Sequence, residues 1–259
     1  MQKIIKISDD FWNIRGTFRV GGLLDIGTHA SLVRMANGKF VFLDSYAFSG
    51  QVARDLNEMT GDGSKVEAVL NLHPFHTVHV EAMHRQYPQA KKYGTARHLS
   101  KFPKLPWEKL RTEDEALHAR FADDFEFSVP QGVDFISDNE NVHFSSVLAY
   151  HRASKSIHVD DTYIYAQLPL PLRLIGVDGV TRFHPTLTKA LQPRAGAARE
   201  FLQWAEGLNT DWGDARNLCT AHLATLAANK NNGASIQERL RDALSGVKHT
   251  LADHEKTFG

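Results

Sequence analysis

The feature that most limits the fold is an apolar segment in the first half of the chain that runs directly into a polar loop. Residues 66–72 have the length and composition of a buried strand. A helical pattern follows over residues 80–87 and stops at Pro88, and residues 90–95 have the pattern of a short strand. Strand, loop, helix and strand in this order favour a strand-centred α/β layout.

The segments on either side add further strands and helices. Asn37-Gly38 predicts a hairpin turn between two strand-like segments, because Asn-Gly readily adopts the positive φ angles of a tight turn. Strands are predicted over residues 11–20, 30–35, 40–45, 142–150, 156–159 and 215–220, and helices over residues 50–59, 195–208 and 235–258. We find no internal repeat, low-complexity tract or linker, and therefore predict a single domain over residues 1–259.

Three histidines, His73, His76 and His79, lie directly after the predicted strand at residues 66–72. Histidine titrates near neutral pH and is the commonest metal ligand. A catalytic metal needs side-chain nitrogens that converge on one point while one coordination position stays open. Three histidines where a buried strand runs out into a loop therefore indicate a metal site. The alternative is a histidine-rich loop in which one or two imidazoles cap a helix.

Two other polar groups follow predicted strands. His151 ends one strand, and Asp160 and Asp161 end the next. A carboxylate there could bridge two metals or orient a metal-bound water; alternatively it forms a turn or caps a helix, which are common uses of Asp. His222 lies just past the strand predicted over residues 215–220, where a solvated loop histidine is the alternative.

The composition disfavours several functional classes. Lys+Arg and Asp+Glu are both 30, so no global charge bias points to nucleic acid or an anionic membrane, and a small-molecule substrate is expected. One cysteine, Cys219, excludes an intramolecular disulfide and a cysteine-based zinc knuckle. The N-terminus does not resemble a secretory signal, and no apolar stretch approaches the roughly 20 residues that span a bilayer. A cytoplasmic location is therefore expected.

In order and context, these groups resemble the metallo-β-lactamase fold superfamily, which includes glyoxalase II-type thioesterases, lactonases, phosphodiesterases and nucleases. Its members usually carry a His-x-His-x-Asp-His motif after a strand, then a His, then an Asp at a strand end and a final His. The predicted hairpin at residues 37–45 is also similar to one in that family, and the resemblance covers roughly residues 11–225. It implies an α/β fold, a four-layer αβ/βα sandwich, in one domain that ends in the C-terminal helix over residues 235–258.

The resemblance assigns six residues as metal ligands: His73, His76, His79, His151, Asp161 and His222. His151 matches the third ligand of a first metal, Asp161 the bridging carboxylate, and His222 the last ligand of a second metal. His151 and Asp161 are only ten positions apart, which is shorter than is usual in the family.

The histidine run departs from the motif. Matching His73, His76 and His79 to its histidines requires one inserted residue and places Val78, which cannot bind a metal, where the motif has Asp. A gap-free alignment instead keeps only His73 and places Phe75 and Thr77 on the motif.

These observations lead to the hypothesis of a metal-dependent hydrolase. His73, His76 and His151 would suffice to hold one metal with an open position and to lower the pKa of a bound water to about 7. The expected reaction is hydrolysis of an ester-like, thioester, lactone or phosphoester bond by a metal-bound hydroxide, with Asp161 and His79 as catalytic groups. One or two divalent ions are expected, Zn²⁺ first, with iron or manganese as alternatives. The competing hypothesis is a non-catalytic binding protein of the same fold with a vestigial metal site, which Val78 favours.

Overall fold

The computed structural model describes residues 2–21, 24–168, 179–231 and 233–259. The density of contacts divides the chain into two compact units. The first unit comprises Met1–Glu126 with His151–Ser154, and the second comprises Phe127–Tyr150 with Lys155–Gly259. The single domain over residues 1–259 stays a prediction.

Eight strands belong to the first unit: β1 (Lys3–Lys6), β2 (Phe11–Gly16), β3 (Arg19–Val20), β4 (Leu24–Asp25), β5 (Thr28–Arg34), β6 (Phe40–Leu43), β7 (Val66–Leu70) and β8 (Lys91–Tyr93). Six of them form a mixed sheet in the order β1-β2-β5-β6-β7-β8, and β3 pairs with β4. The pairs from β1 to β6 are antiparallel, whereas β6 pairs with β7 and β7 with β8 in parallel.

The connections of this sheet follow from the local sequence. The antiparallel pair β5–β6 turns at Asn37-Gly38, where Gly38 has φ 80° and the Lys39 amide donates to Asn37 Oδ1 at 2.9 Å. The two parallel pairs are joined by helices α1 (Gly50–Thr60) and α2 (Val80–Gln86), as parallel strands require. Helices α3 (Ala96–Lys101) and α4 (Glu115–Arg120) follow β8. The predicted hairpin turn, helices and β-loop-α-β order are confirmed.

The first sheet has one apolar face and one face with buried polar groups. Alternate strand residues form the apolar core with α1: Ile14, Ala30, Leu32, Phe40, Phe42, Val52 and Leu56. Burying each large apolar side chain stabilises the unit by roughly 1.5–3 kcal/mol. On the other face, Asn13 Nδ2 lies 3.0 Å from His29 Nδ1 and 3.1 Å from Ser31 Oγ. These buried polar groups thus satisfy one another, as burial requires.

The second unit contains most of a five-stranded sheet in the order β15-β14-β11-β10-β9, of which Phe125, Glu126 and His151 belong to the first unit. The described residues of this part of the chain form seven strands, five in that sheet and two in a separate ribbon: β9 (Phe125–Ser128), β10 (Leu148–His151), β11 (Ser156–Val159), β12 (Tyr163–Gln167), β13 (Gly179–Phe183), β14 (Asn217–Thr220) and β15 (Thr225–Leu226). β11 and β14 are parallel, and β12 pairs with β13 in a separate ribbon. The helices are α5 (Leu187–Ala190), α6 (Ala197–Asp211) and α7 (Ile236–Phe258).

Helix α7 begins where the sequence predicts. Ser235 caps it in a capping box: Ser235 Oγ accepts from the Glu238 amide, and Glu238 Oε2 accepts from the Ser235 amide at 2.7 Å. Its apolar residues Ile236 and Leu240 join the core of the second unit with Phe201 of α6. Among the helices of the described residues, none combines the length and apolar composition needed to cross a membrane.

Candidate functional site

The backbone directly before His73 is fixed by side chains from neighbouring segments. Asp44 Oδ1, just past β6, accepts a hydrogen bond from the Leu72 amide at 2.8 Å. Asn71 Nδ2 donates to the carbonyl of Tyr93, the last residue of β8, at 2.9 Å. The chain therefore leaves β7 on a defined path, and His73 is completely buried at its end.

His73 and His76 are brought together as the sequence predicts. Their rings are stacked with centroids 4.1 Å apart and planes 21° apart, and one ring nitrogen of each lies within 4.8 Å of the other. The His76 amide donates to the His73 carbonyl at 3.1 Å, which folds the loop back on itself. Two nitrogen ligands of a tetrahedral metal lie about 3.3 Å apart, which falls within the 4.8 Å limit that this pair meets. We refer to His73 and His76 as the histidine pair.

One hydrogen bond would change on metal binding. The Phe75 amide donates to Nδ1 of His73 at 3.0 Å. The neutral ring then carries its proton on Nε2, because each neutral imidazole has one donor and one acceptor nitrogen. Binding of a metal through Nε2 would move that proton and replace this hydrogen bond.

His79 and Val78 occupy different environments from the histidine pair. His79 is the N-cap residue of α2, and its ring meets the edge of Tyr46 at 4.5 Å between centroids. Among the described residues, it does not join His73 and His76 within the same 4.8 Å. Burial lowers the pKa of His79, and the charge of His76 adds to this shift. Val78 is 73% exposed, so the position that the inserted alignment assigns to a metal-binding Asp points into solvent.

His151 and His73 lie at opposite ends of the strands of the first sheet. Its ring centroid is 5.9 Å from that of Phe11, which pairs with Val33 near the end of β5 and thus near the start of β6. His73 follows the opposite, carboxyl end of β7, which runs parallel to β6. A strand length separates His151 from the histidine pair, and the predicted three-histidine site does not form.

His151 instead has a local role in the first unit. Its Nδ1 lies 2.8 Å from Ser154 Oγ, and its ring also contacts Phe125 at 5.4 Å between centroids. It lines a cavity of about 640 Å³ together with Arg34 and Asp124. Burial lowers the pKa of His151, against the opposing charges of Asp124 and Asp10.

His98 is a buried histidine of this region that the sequence did not single out. It is fully buried on α3, and its Nδ1 accepts from the Thr95 amide at 3.2 Å in a capping box. Burial lowers the pKa of His98 to about 3, and the nearby His76 backbone acts in the opposite direction. The Thr95-x-x-His98 spacing is a helix-start signal, which gives no hint of a neighbouring metal site.

In the second unit, Asp161 and His222 meet. His222 Nε2 lies 3.0 Å from Asp161 Oδ1, with both side chains largely buried. The two residues follow β11 and β14, and these parallel strands bring their carboxyl ends to the same edge of the sheet. We refer to Asp161 and His222 as the Asp–His pair. Asp160, the alternative carboxylate, has an oxygen within 4.8 Å of a ring nitrogen of His158.

Neighbouring threonines fix the two loops that carry the Asp–His pair. Thr162 Oγ1 donates to the Phe144 carbonyl at 3.0 Å and so anchors the backbone beside Asp161. Thr220 Oγ1 lies 2.9 Å from the His222 carbonyl and 2.8 Å from the Ala224 carbonyl, and its one hydroxyl proton is shared between them. These bonds hold a tight loop around His222.

The next residue, Leu223, is 50% exposed and has φ 69°, a left-handed conformation that is unusual for Leu. Asp44, beside the other pair, has φ 63°. Such residues persist where their surroundings hold them, often at functional sites.

His184 is a second residue that sequence reasoning missed. Burial lowers the pKa of His184; the charge of Asp161 opposes this shift, and His222 and His143 add to it. His184 therefore lies within electrostatic range of the Asp–His pair. It directly follows β13, but no motif in the sequence marks it.

Comparison with known proteins identifies the fold. No model of a protein family matches the sequence, and no curated protein is similar to it in sequence. The structure is similar to the metallo-β-lactamase from Erythrobacter litoralis, at 11% identity, over 95% of this chain and 96% of that chain, with a TM-score of 0.60. It is also similar to the metallo-β-lactamase from Pontibacter korlensis, at 12% identity, over 95% of this chain and 99% of that chain, with a TM-score of 0.55. This chain has the metallo-β-lactamase fold. The predicted α/β fold class is confirmed.

The donor groups on this metallo-β-lactamase fold fit a divalent metal in their chemistry. Imidazole nitrogens suit zinc, iron and other transition metals, and a buried carboxylate adds the negative charge that a dication requires. The ring nitrogens of the histidine pair lie within 4.8 Å of each other, a limit that two ligands of one ion also meet. In the Asp–His pair, His222 Nε2 and Asp161 Oδ1 face each other at 3.0 Å, and both atoms are possible metal ligands.

Proposed function

We propose that this protein is a metal-dependent hydrolase and that both pairs supply metal ligands. The observation that carries the proposal is the stacked histidine pair at the carboxyl end of β7, on a fold that it shares with metallo-β-lactamases. A divalent metal, when bound, supplies Lewis acidity, which acidifies a water and polarises the scissile bond. The bonds considered are ester-like, thioester, lactone and phosphoester bonds, and the substrate is a small molecule.

The residues of the two pairs have separate tasks in this proposal. His73 and His76 hold the metal as neutral imidazoles on a backbone that Asp44 keeps in place. Asp161 and His222 supply ligands where a cation replaces the 3.0 Å contact between Oδ1 and Nε2; without one, Asp161 orients the His222 ring and can hold or pass a proton. His79, half-buried near His76, is kept as a candidate acid or base and not as a ligand.

Zinc is the proposed metal because imidazole and carboxylate ligands are its usual partners. The same ligands accept iron and manganese, so elemental analysis decides among them. A cytoplasmic location stays a prediction.

The test combines metal content with turnover. Protein purified without a histidine tag is analysed by elemental mass spectrometry, then assayed with p-nitrophenyl acetate and bis(p-nitrophenyl) phosphate before and after chelation. His76→Ala should abolish metal-dependent turnover while the fold persists, and His249→Ala, which alters an exposed histidine of α7, should leave it unchanged. Full turnover in His76→Ala, or no metal even after reconstitution, would reject the hydrolase.

A second candidate is a binding protein of this fold with a vestigial metal site. The exposure of Val78 and the position of His151 favour it, because two of the predicted ligand positions then contribute nothing. It predicts less than one equivalent of metal and no chelator-sensitive turnover of either substrate. The same measurements therefore separate the two candidates.

A further inference from the structure

The neutral chain contains one strongly basic segment. Residues 80–111 hold eight Lys and Arg residues against two Glu and no Asp, whereas the whole chain is balanced at 30 and 30. Some of these charges have structural roles, since buried Lys92 donates to three backbone carbonyls and Arg111 pairs with Asp114. Two others, Arg97 and Lys101, are directed at the loop that carries the histidine pair.

Helix α3 places Arg97 and Lys101 on one face, four residues apart. The Arg97 guanidinium lies over the Phe75 ring, 4.5 Å from its centroid. Lys101 Nζ donates to Thr77 Oγ1 at 2.7 Å. The two cations therefore contact the residues on either side of His76.

The position of α3 is fixed independently of these two contacts. Thr95 and His98 form its capping box, and the Ala96 amide donates to Glu113 Oε1 at 3.0 Å. Glu113 also lies 3.8 Å from Arg111. This carboxylate is thus engaged at the start of the helix, whereas Lys101 lies at its end.

Two cations beside two imidazoles, without a carboxylate in the same loop, are electrostatically unfavourable for a metal site. Each positive charge repels a dication, and the repulsion is only partly screened near a protein surface. An anion that binds at the same place reverses the effect, because Arg and Lys form strong charge-assisted hydrogen bonds with phosphate and carboxylate oxygens. The arrangement is therefore suited to a metal together with an anionic ligand.

We propose that Arg97 and Lys101 form an anion-binding position beside the histidine pair, and that the substrate carries a phosphate or carboxylate group at or next to the bond that is cleaved. The substrate part of this inference rests on the proposed hydrolase function. The anion-binding part rests on the contacts of α3 alone.

Binding of inorganic phosphate tests the anion position without turnover. Calorimetry is done on the chelated protein and on the metal-loaded protein, for the wild type, Lys101→Gln and Arg97→Gln. We expect each substitution to weaken phosphate binding about tenfold, the usual size for the loss of one charged hydrogen-bond partner. Lys104→Gln is the matched control, because Lys104 is an exposed lysine of the same basic segment. Lys101 is exposed, so Lys101→Gln should fold normally even if Arg97→Gln does not.

Turnover then identifies the anion. The substrates are a neutral p-nitrophenyl ester, a p-nitrophenyl ester with a terminal carboxylate, and bis(p-nitrophenyl) phosphate. Lys101→Gln should lower kcat/KM about tenfold for whichever anionic substrate the wild type prefers and should change kcat/KM for the neutral ester much less. Equal losses on neutral and anionic substrates, or phosphate binding that matches the Lys104→Gln control, would overturn the proposal. Weakened phosphate binding with no turnover of any substrate by the wild type would retain the anion position and reject the hydrolase.

Discussion

The histidine pair and the Asp–His pair both lie where strands end, but their side chains differ in chemistry. His73 and His76 are three residues apart and are two imidazoles whose own loop brings no carboxylate. Asp161 and His222 follow two different strands, and a carboxylate oxygen lies 3.0 Å from an imidazole nitrogen. The Asp–His pair therefore brings an acid and a base into contact within the protein, whereas the histidine pair brings together two side chains of the same kind.

The largest effect expected from this difference is on metal content. His73→Ala should reduce metal affinity by at least about 100-fold, since even neighbours of a ligand contribute 10- to 100-fold. Asp161→Asn keeps the shape of the other pair and removes its charge, so the equivalents of metal that it loses measure the contribution of that pair. Elemental mass spectrometry after dialysis gives both values.

His151→Ala is the control for these variants. The structure places His151 at the far edge of the first sheet, so this variant should keep its full complement of metal. Metal lost from His151→Ala and retained by His73→Ala would restore the three-histidine site that the sequence suggested and contradict the geometry described here.

The sequence predicted those parts of the site that depend on local order. The strand at residues 66–72 and the histidines after it determine the histidine pair almost completely, because no long-range information is needed to bring His73 and His76 together. Asp161 and His222 could be paired because each was taken to end a strand, and parallel strands align such ends.

The predictions of site residues that were wrong depend on the three-dimensional arrangement of the strands and loops, which a local sequence pattern does not contain. His151 also ends a strand, but periodicity does not reveal which edge of a sheet that end reaches. Val78 was matched to the motif by alignment, and one inserted residue is enough to turn a side chain into solvent. The sequence around His98 indicates the start of a helix, but it does not indicate that His98 lies close to the loop of the histidine pair.

The next largest effect is expected on the free energy of unfolding, from changes to Asp44, which holds the backbone before the histidine pair. Asp44→Ala should lower the free energy of unfolding by about 2–4 kcal/mol, because the buried Leu72 amide loses its acceptor and Ala is strained at φ 63°. Asp44→Asn keeps an acceptor oxygen and tolerates this backbone conformation, so its loss should be about 1 kcal/mol or less. Urea unfolding of both variants measures the difference. Equal losses would show that the Asp44 charge, and not its geometry, supports the loop.

A smaller effect of opposite sign is expected beside the Asp–His pair. Leu223→Gly should raise the free energy of unfolding by up to about 1 kcal/mol, because Gly adopts φ 69° without strain and only the flexibility of the unfolded chain opposes the gain. Turnover should fall if the strained residue holds His222 in place. Urea unfolding and kcat/KM are measured on the same preparation. A stabilised variant with full turnover would show that the strain at Leu223 has no part in the function.

The smallest effect at neutral pH is expected for His151→Phe, which replaces a buried imidazole between Phe11 and Phe125 by a ring that does not titrate. Burial holds the pKa of His151 below its usual value of 6.5 in the folded protein, so below pH 6.5 the unfolded chain takes up a proton that the folded protein resists. Its contribution to stability is complete above pH 6.5 and is lost as the pH falls toward the folded pKa. The loss is at most about 1.4 kcal/mol per pH unit, the equivalent of one proton.

Unfolding of both proteins in urea at pH 7, 6 and 5 therefore checks the role of His151. The two stabilities should be similar at pH 7, apart from the lost contact with Ser154, and should diverge in favour of His151→Phe as the pH falls. Parallel curves would mean that His151 takes up its proton equally well in the folded protein. A diverging pair of curves, with metal content unchanged in the variant, would confirm that this histidine affects stability and not the metal site, although the sequence marks it in the same way as His222.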